Sequence, residues 1–295
     1  MSSSAMMNVV PGVIMGLCCL VGIPGNIAVM VVIFRKYQPD NFSLKLMMSL
    51  AVSDLLSLLF LPVQIYNLVS DWELGEVACR LLFFLLYWGM HASVLSVAML
   101  SIQRYLQVLH THLWTRLQPF GQWALLVALW AMAACISSPC LVVRSVQESR
   151  CGARYEGAAQ EAIVLVCQTL FGYVIPFTAI ASLYICLQKR VSQMVVLRTR
   201  RMTRAVTNIV VSFFIFWTPL HFFNMLDLSA LVTQAKELEA LCHNSWPVLS
   251  ALTYINACLN PFLYAFAHSQ LQTAVGQQHK AQPSIHIPMA IPIPR

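Results

Sequence analysis

Charge is scarce in this chain: Asp, Glu, Lys and Arg make up 10% of its 295 residues, and only 11 residues are acidic. With 59% hydrophobic residues and a mean hydropathy of +0.70, an ordinary soluble domain is excluded. The ten cysteines and eight histidines include no Cys-x-x-Cys pair and no His/Cys cluster, so no metal framework is legible beyond the possible sodium site considered below. No nucleophile, base and orienting group gather at catalytic spacing, which argues against an enzyme, and the absence of internal repeats argues against a transporter.

What the chain does have is long apolar runs. Seven of them, over 9–34, 43–69, 79–109, 120–143, 161–188, 203–228 and 245–266, each reach the roughly 20 residues that cross a hydrocarbon core. Lipid offers no partner for free backbone groups, and no ten-residue alternation points to a barrel, so each run is expected as a helix. The fold class is therefore an all-α membrane protein, a seven-transmembrane helix bundle. Residues 1–8 form its short outer N-terminus, 9–266 the helical domain, and 267–295 a weak amphipathic helix with a short disordered tail.

Of the 18 basic residues, thirteen fall on one side of the predicted bundle and five on the other. The positive-inside bias places the N-terminus outside and the C-terminus in the cytosol. The net charge of +7 is thereby a topology signal, with no nucleic-acid partner required. Cys79 and Cys151 both fall on the outer face. A disulfide there would pin the loop after the fourth span, the alternative being two unpaired thiols; Cys242 has no obvious partner.

An ionisable group at membrane depth costs about 2.5–3.5 kcal/mol or more, which singles out Asp54 in the second span. With Ser93, Asn256 and Asn260 at similar depth it could hold a sodium ion; the alternative is a protonated Asp hydrogen-bonded between helices. Pro219 and Pro261 each delete a helical hydrogen bond, and Phe213 and Trp217 lie one turn apart just before Pro219. That pattern reads either as a static kink or as a hinge.

The ordered motifs resemble the rhodopsin-like (class A) G-protein-coupled receptors across all seven spans. They are Gly25-Asn26, Leu-Ala-Val-Ser-Asp54, Trp72-Glu-Leu-Gly75 before Cys79, and Gln103-Arg104-Tyr105. Then come Trp130 and Pro139, Pro176 and Tyr184, Phe213-x-x-Phe-Trp217-Thr-Pro219, and Asn260-Pro261-Phe-Leu-Tyr264. The resemblance implies an activation switch of Trp217, Phe213, Pro219, Pro176, Asn260, Pro261, Tyr264 and Tyr184. It also implies that Gln103, Arg104 and Tyr105 meet a heterotrimeric G protein, where position alone allows Arg104 to be an interfacial residue snorkelling to headgroups. Neutral Gln103 stands where an acid usually restrains the Arg, so raised basal signalling is expected.

No Lys occurs between Lys236 and Lys280, so a retinal Schiff base is excluded, and the outer third span offers no Asp for an ammonium ligand. Arg144 above Phe83, Tyr87, Phe171 and Trp246, with His91, Gln168, His221, Asn224 and Tyr254 as polar points, suits a small amphipathic anion. Against this, outer arginines such as Arg144, Arg150 and Arg154 are often only solvated, and a bundle His is often packed core. Within the family the chain is similar to the leukotriene B4 receptor subgroup of chemoattractant receptors, through Trp72-Glu-Leu-Gly-Glu-Val-Ala-Cys79-Arg80, Met90-His-Ala-Ser93-Val-Leu95 and Trp217-x-Pro219-x-His221-x-x-Asn224. This implies a lipid mediator, leukotriene B4 or a related hydroxy fatty acid, acting through an inhibitory G protein. The alternatives are a chemotactic-peptide receptor and a decoy that captures ligand without coupling. A tail with only Ser284 as hydroxyl implies weak arrestin recruitment.

Overall fold

In the computed structural model, which describes residues 3–35, 41–110, 112, 118–191 and 197–281, the apolar runs are helical as expected. The first three spans are α1 (Ser3–Arg35), α2 (Phe42–Val69) and α3 (Gly75–Leu109). The fourth is α4 (Pro119–Ser137) followed by the short α5 (Pro139–Val143), and the fifth is α6 (Ala158–Thr169), a π-helical turn (Leu170–Val174) and α7 (Ile175–Val191). The sixth is α8 (Leu197–Thr233) and the seventh lies within α9 (Lys236–Ala281). Among the described residues six helices are long and apolar enough to cross a membrane.

Proline accounts for the irregularities. Pro139 opens α5 where α4 has ended, its missing N–H falling where a helix start needs none. Pro176 deprives the carbonyl four residues back of its donor, and the fifth span widens there into the π turn. The helix of the seventh span continues without a break to Ala281, through the segment expected to be a separate amphipathic helix and into residues 276–281, expected with the rest of 276–295 to be disordered; residues 282–295 of that expected tail lie outside the described residues.

The loop after the fourth span is ordered rather than irregular. β1 (Arg144–Gln147) pairs antiparallel with β2 (Arg150–Ala153), and the turn between them sets Glu148 at φ 45° and Ser149 at φ 58°. A tight hairpin needs that left-handed pair to match strand twist, and Glu-Ser lacks the Asn-Gly signature that would have announced it. The Cys79–Cys151 disulfide fixes the hairpin to α3. Asn67 in α2 clamps it too, its amide donating to the Cys151 carbonyl and its Oδ1 accepting from the Cys151 N–H, both at 2.9 Å. Arg150, a possible ligand residue by sequence, donates to the carbonyls of Asn67 and Leu68 and so caps the end of α2.

Inside the bundle, polar groups are spent between helices. Asn26 donates to the carbonyls of Gly22 and Ala257, joining the first and seventh spans. Trp130 donates to Ser49, whose hydroxyl lies 3.1 Å from that of Ser96, tying the second, third and fourth spans together. At Gly89 the second and third spans touch: a Cβ there would lie 2.5 Å from Ser57 Oγ and 2.7 Å from the Ser57 backbone nitrogen. Gly89→Ala must push backbone against backbone, so it is expected to destabilise by about 1–3 kcal/mol, read as a lower melting temperature of purified receptor. An unchanged value would mean that the two helices separate freely.

Candidate functional site

Functional side chains lie at four depths between the disulfide end and the Arg104 end. Nearest the disulfide, Arg144 leaves the last turn of the fourth span as the first residue of β1 and points inward, only 8% exposed. Its guanidinium donates to the Tyr87 hydroxyl at 3.1 Å and lies 4.4 Å from the Phe83 ring centre, 5.7 Å from that of Tyr87 and 6.0 Å from that of Trp246. The Cys140 side chain also hydrogen-bonds it, so Arg144 has aromatic faces, a phenol and a thiol around it but no carboxylate among its described partners. Tyr155 also lies close to Arg144. Burial pushes its hydroxyl up to about 12 despite the neighbouring guanidinium, so it too remains a neutral phenol.

Four sequence-named residues, Arg144, Phe83, Tyr87 and Trp246, thus meet in one place. Tyr254 is buried below them, its hydroxyl donating to Gln64 at 2.7 Å. Asn224 is buried and Gln168 half-buried, but neither hydrogen-bonds Arg144. Phe171, expected to line the pocket, is 49% exposed, and the inward positions belong to Gly172 and Tyr173. A π turn carries one residue more than an α turn, so faces counted at 3.6 residues per turn slip beyond it.

One turn deeper, aromatic rings stack in sequence. The Tyr173 and His221 rings are 4.6 Å apart at 14°, Trp217 and His221 5.9 Å apart at 11°, and Phe213 and Trp217 5.3 Å apart at 34°. Tyr173 also shares a 2.7 Å hydrogen bond with Thr218, next to Pro219. His91 faces this group from the third span, with Nδ1 2.8 Å from the Ser137 hydroxyl.

Deeper still, Asp54 accepts from Ser93 at 2.6 Å on one carboxylate oxygen and from Asn260 at 2.7 Å on the other. Asn260 Oδ1 is buried without a partner. Asn256 belongs to a different contact, accepting from Ser212 of the sixth span at 3.1 Å. Pro261 packs beside Gly25, where an added Cβ would meet its ring at 3.1 Å.

At the Arg104 end, Gln103 is fully buried and its amide donates to Ser43 at 2.7 Å, joining the third span to the second. Arg104 donates to Gln107 one turn on, at 3.2 Å. Tyr105 turns its ring to within 5.7 Å of His110. Thr207 donates to the Tyr184 hydroxyl at 3.0 Å, linking the sixth span to the fifth. The side chain of Tyr264 lies outside the described residues.

An intramembrane carboxylate in an amide and hydroxyl shell, a stacked Trp beside a helix proline and a third-span Arg thus lie at successive depths of one helical bundle. Residues 25–264 match the family of 7 transmembrane receptors (rhodopsin family), and the chain belongs to it. It is 30% identical over 282 residues to the C5a anaphylatoxin chemotactic receptor 1 of Oryctolagus cuniculus, covering 90% of this chain and 77% of that one. Identity is 29% over 278 residues to the leukotriene B4 receptor 1 of Homo sapiens (90% and 78% covered). It is 27% over 270 residues to the chemerin-like receptor 2 of Mus musculus (87% and 75%). Within the family, then, this is a multi-pass plasma-membrane receptor of the chemoattractant group, and not an enzyme.

Proposed function

We propose that the receptor binds a small amphipathic carboxylate, leukotriene B4 or a related hydroxy fatty acid, at the disulfide end, and that Arg144 is its anchor. The supporting observation is the buried guanidinium ringed by Phe83, Tyr87 and Trp246 with no carboxylate partner among the described residues. A ligand carboxylate supplies the missing charge, and its apolar chain fits the aromatic walls. The likeness to the human leukotriene B4 receptor 1 favours the same reading. The disulfide end then faces outside and the Arg104 end the cytosol, with residues 1–8 as the outer N-terminus and 267–295 as the cytosolic end.

Ligand pressing on Trp217 biases the sixth span about Pro219, and the Arg104 end opens to an inhibitory heterotrimeric G protein. Around Asp54, the Ser93 hydroxyl and the unpaired Asn260 oxygen form an oxygen-only donor set that fits a sodium ion as modulator; Asn256 is engaged with Ser212 instead.

A chemotactic peptide is the second reading, favoured by the C5a receptor likeness and by Glu161, Asp227 and Glu239. These acids lie close enough to repel one another near the pocket mouth, where a basic side chain would relieve them. Agonist-stimulated nucleotide exchange on an inhibitory G protein, with leukotriene B4 and chemotactic peptides as probes, separates the readings. A lipid response supports the first; a peptide response alone discards the lipid; binding without exchange makes the chain a decoy.

With neutral Gln103 beside Arg104, the ligand-free receptor is expected to signal. Gln103→Asp should lower that basal exchange about fivefold or more by adding a carboxylate next to the Arg. Gln103→Ala, which only removes the Ser43 contact, should not. Equal basal activity in the Asp variant and the unmodified receptor would overturn this.

A further inference from the structure

We infer that Cys18 and Cys258 form an oxidisable thiol pair, and that a small neutral peroxide converts it to a disulfide stapling the first span to the seventh. The two spans meet along one face of each. Cys18, Gly22 and Asn26 recur at four-residue spacing on α1, and Tyr254, Ala257, Cys258 and Pro261 share a helical face of α9. At the deeper end Asn26 donates to the Ala257 carbonyl at 3.1 Å. Nearer the disulfide end the Cys258 thiol lies 3.3 Å from the Cys18 carbonyl and hydrogen-bonds the Cys18 side chain.

Gly22 makes that approach possible. A Cβ there would stand 2.9 Å from Cys258 Sγ and 2.6 Å from Leu58 Cδ1, so the sulfur occupies a notch that a side chain would close. Cys19, although adjacent in sequence, turns to the second span, where it donates to the Leu58 carbonyl at 3.7 Å. Cys18 is therefore the sulfur that Cys258 meets across the seam.

Burial ordinarily leaves a thiol inert, because reaction needs access and thiolate character. Both sulfurs lie in the core cluster with Met15, Leu58, Leu61 and Tyr254, a shell that excludes bulky or charged reagents. Hydrogen peroxide is small and uncharged. One sulfur attacks a peroxide oxygen and the O–O bond breaks, giving a sulfenic acid and a water that carries off the thiol proton. The second sulfur attacks the sulfenic sulfur, and its hydroxyl leaves with the second thiol proton as another water. Peroxide gains two electrons and the pair loses two. Contact favours the second step, since the resolving thiol is already in place. The same shell keeps glutathione, charged and far larger, from the finished disulfide, so the link persists.

The staple bears on signalling through its place in the helix. Cys258 stands two residues before Asn260 and three before Pro261, and Pro261 already packs beside Gly25 of α1. A bond at Cys258 holds the turn entering Pro261 against the first span, so the seventh span no longer bends there independently. The chemistry of the pair needs no ligand; only this consequence rests on the G-protein coupling proposed above.

The test treats purified receptor in nanodiscs with hydrogen peroxide, alkylates the remaining thiols under denaturing conditions and maps the unreduced digest by mass spectrometry. Peptides carrying Cys18 and Cys258 should become linked, beside the Cys79–Cys151 pair present before treatment. The oxidised receptor should melt about 4 °C or more higher. Its nucleotide exchange on an inhibitory G protein, ligand-free and with leukotriene B4, should fall about fivefold or more. Cys18→Ala and Cys258→Ala should show neither change after the same treatment, and they control for methionine oxidation, which all three proteins share. Cys19→Ala should respond like the unmodified receptor. Separately alkylated Cys18 and Cys258 after peroxide, or a Cys19-linked peptide in their place, would overturn the pair. A linked receptor that exchanges nucleotide as before would overturn its control of signalling. If no form exchanges nucleotide before treatment, the coupling reading fails, and the linked peptide and the melting shift decide the staple by themselves.

Discussion

Arg144→Gln is expected to raise the concentration of leukotriene B4 needed for half-maximal nucleotide exchange by at least about thirtyfold, while the ligand-free protein melts at a higher temperature. The first effect follows from truncating one side of a buried charge pair, which typically costs 2–5 kcal/mol. The second follows from the ligand-free geometry. A guanidinium 8% exposed, with a phenol and ring faces for company, does not regain its hydration, and removing an uncompensated charge relieves that penalty. A variant that merely misfolds would lose potency and stability together, so opposite movement of the two readouts identifies a lost contact. Arg150→Gln is the control: it loses helix-end carbonyls and no ligand, so its potency should stay within about threefold and its stability fall by about 0.3–1 kcal/mol. Unchanged potency in Arg144→Gln would remove the anchor.

The seven-helix plan was legible because lipid leaves the backbone so few options that run length alone decides it. The Asp54 shell was partly legible: Ser93 and Asn260 do contact the carboxylate, but Asn256, four residues before Asn260 and at similar depth, turns to Ser212. Which of two amides on one helix meets a given partner depends on rotation by a few tens of degrees, and depth carries no such information. Arg144, Phe83, Tyr87 and Trp246 were named together because charge and aromatic character converge at one end of three spans. Gly172, Tyr173 and Ser137 were missed. Pro176 gives the available signal for the first two, since a proline predicts a disturbed turn just before it; nothing local marks Ser137 as the hydrogen-bond partner of His91. The hairpin was missed because Glu148-Ser149 is a turn imposed by the disulfide and the Asn67 clamp, against local preference.

That hairpin begins on the anchor residue itself, so its attachment governs ligand binding. The Arg144 carbonyl accepts from Arg80 Nε at 3.1 Å, and the N–H of Arg154, just past β2, donates to the Val143 carbonyl at 2.6 Å; hairpin and anchor therefore move as one piece. Replacing Cys79 and Cys151 by Ser removes a link across 72 residues, a loss that typically costs about 2–5 kcal/mol. Part of the geometry should survive in that variant, because Asn67 still brackets Cys151 from both backbone groups and Val146 N–H still donates to Glu76 at 2.8 Å. Leukotriene B4 potency is expected to fall about tenfold in the double variant, only slightly in Asn67→Ala alone, and by more than the sum of the two in the triple variant, since restraints on one segment are not independent. Aromatic packing around Trp217, Phe213 and His221 lies a turn or more below the hairpin and should be unperturbed, which Trp fluorescence can check. Full potency in the triple variant would show that Arg144 is held by the fourth span alone, and that the hairpin is a cover and not a support.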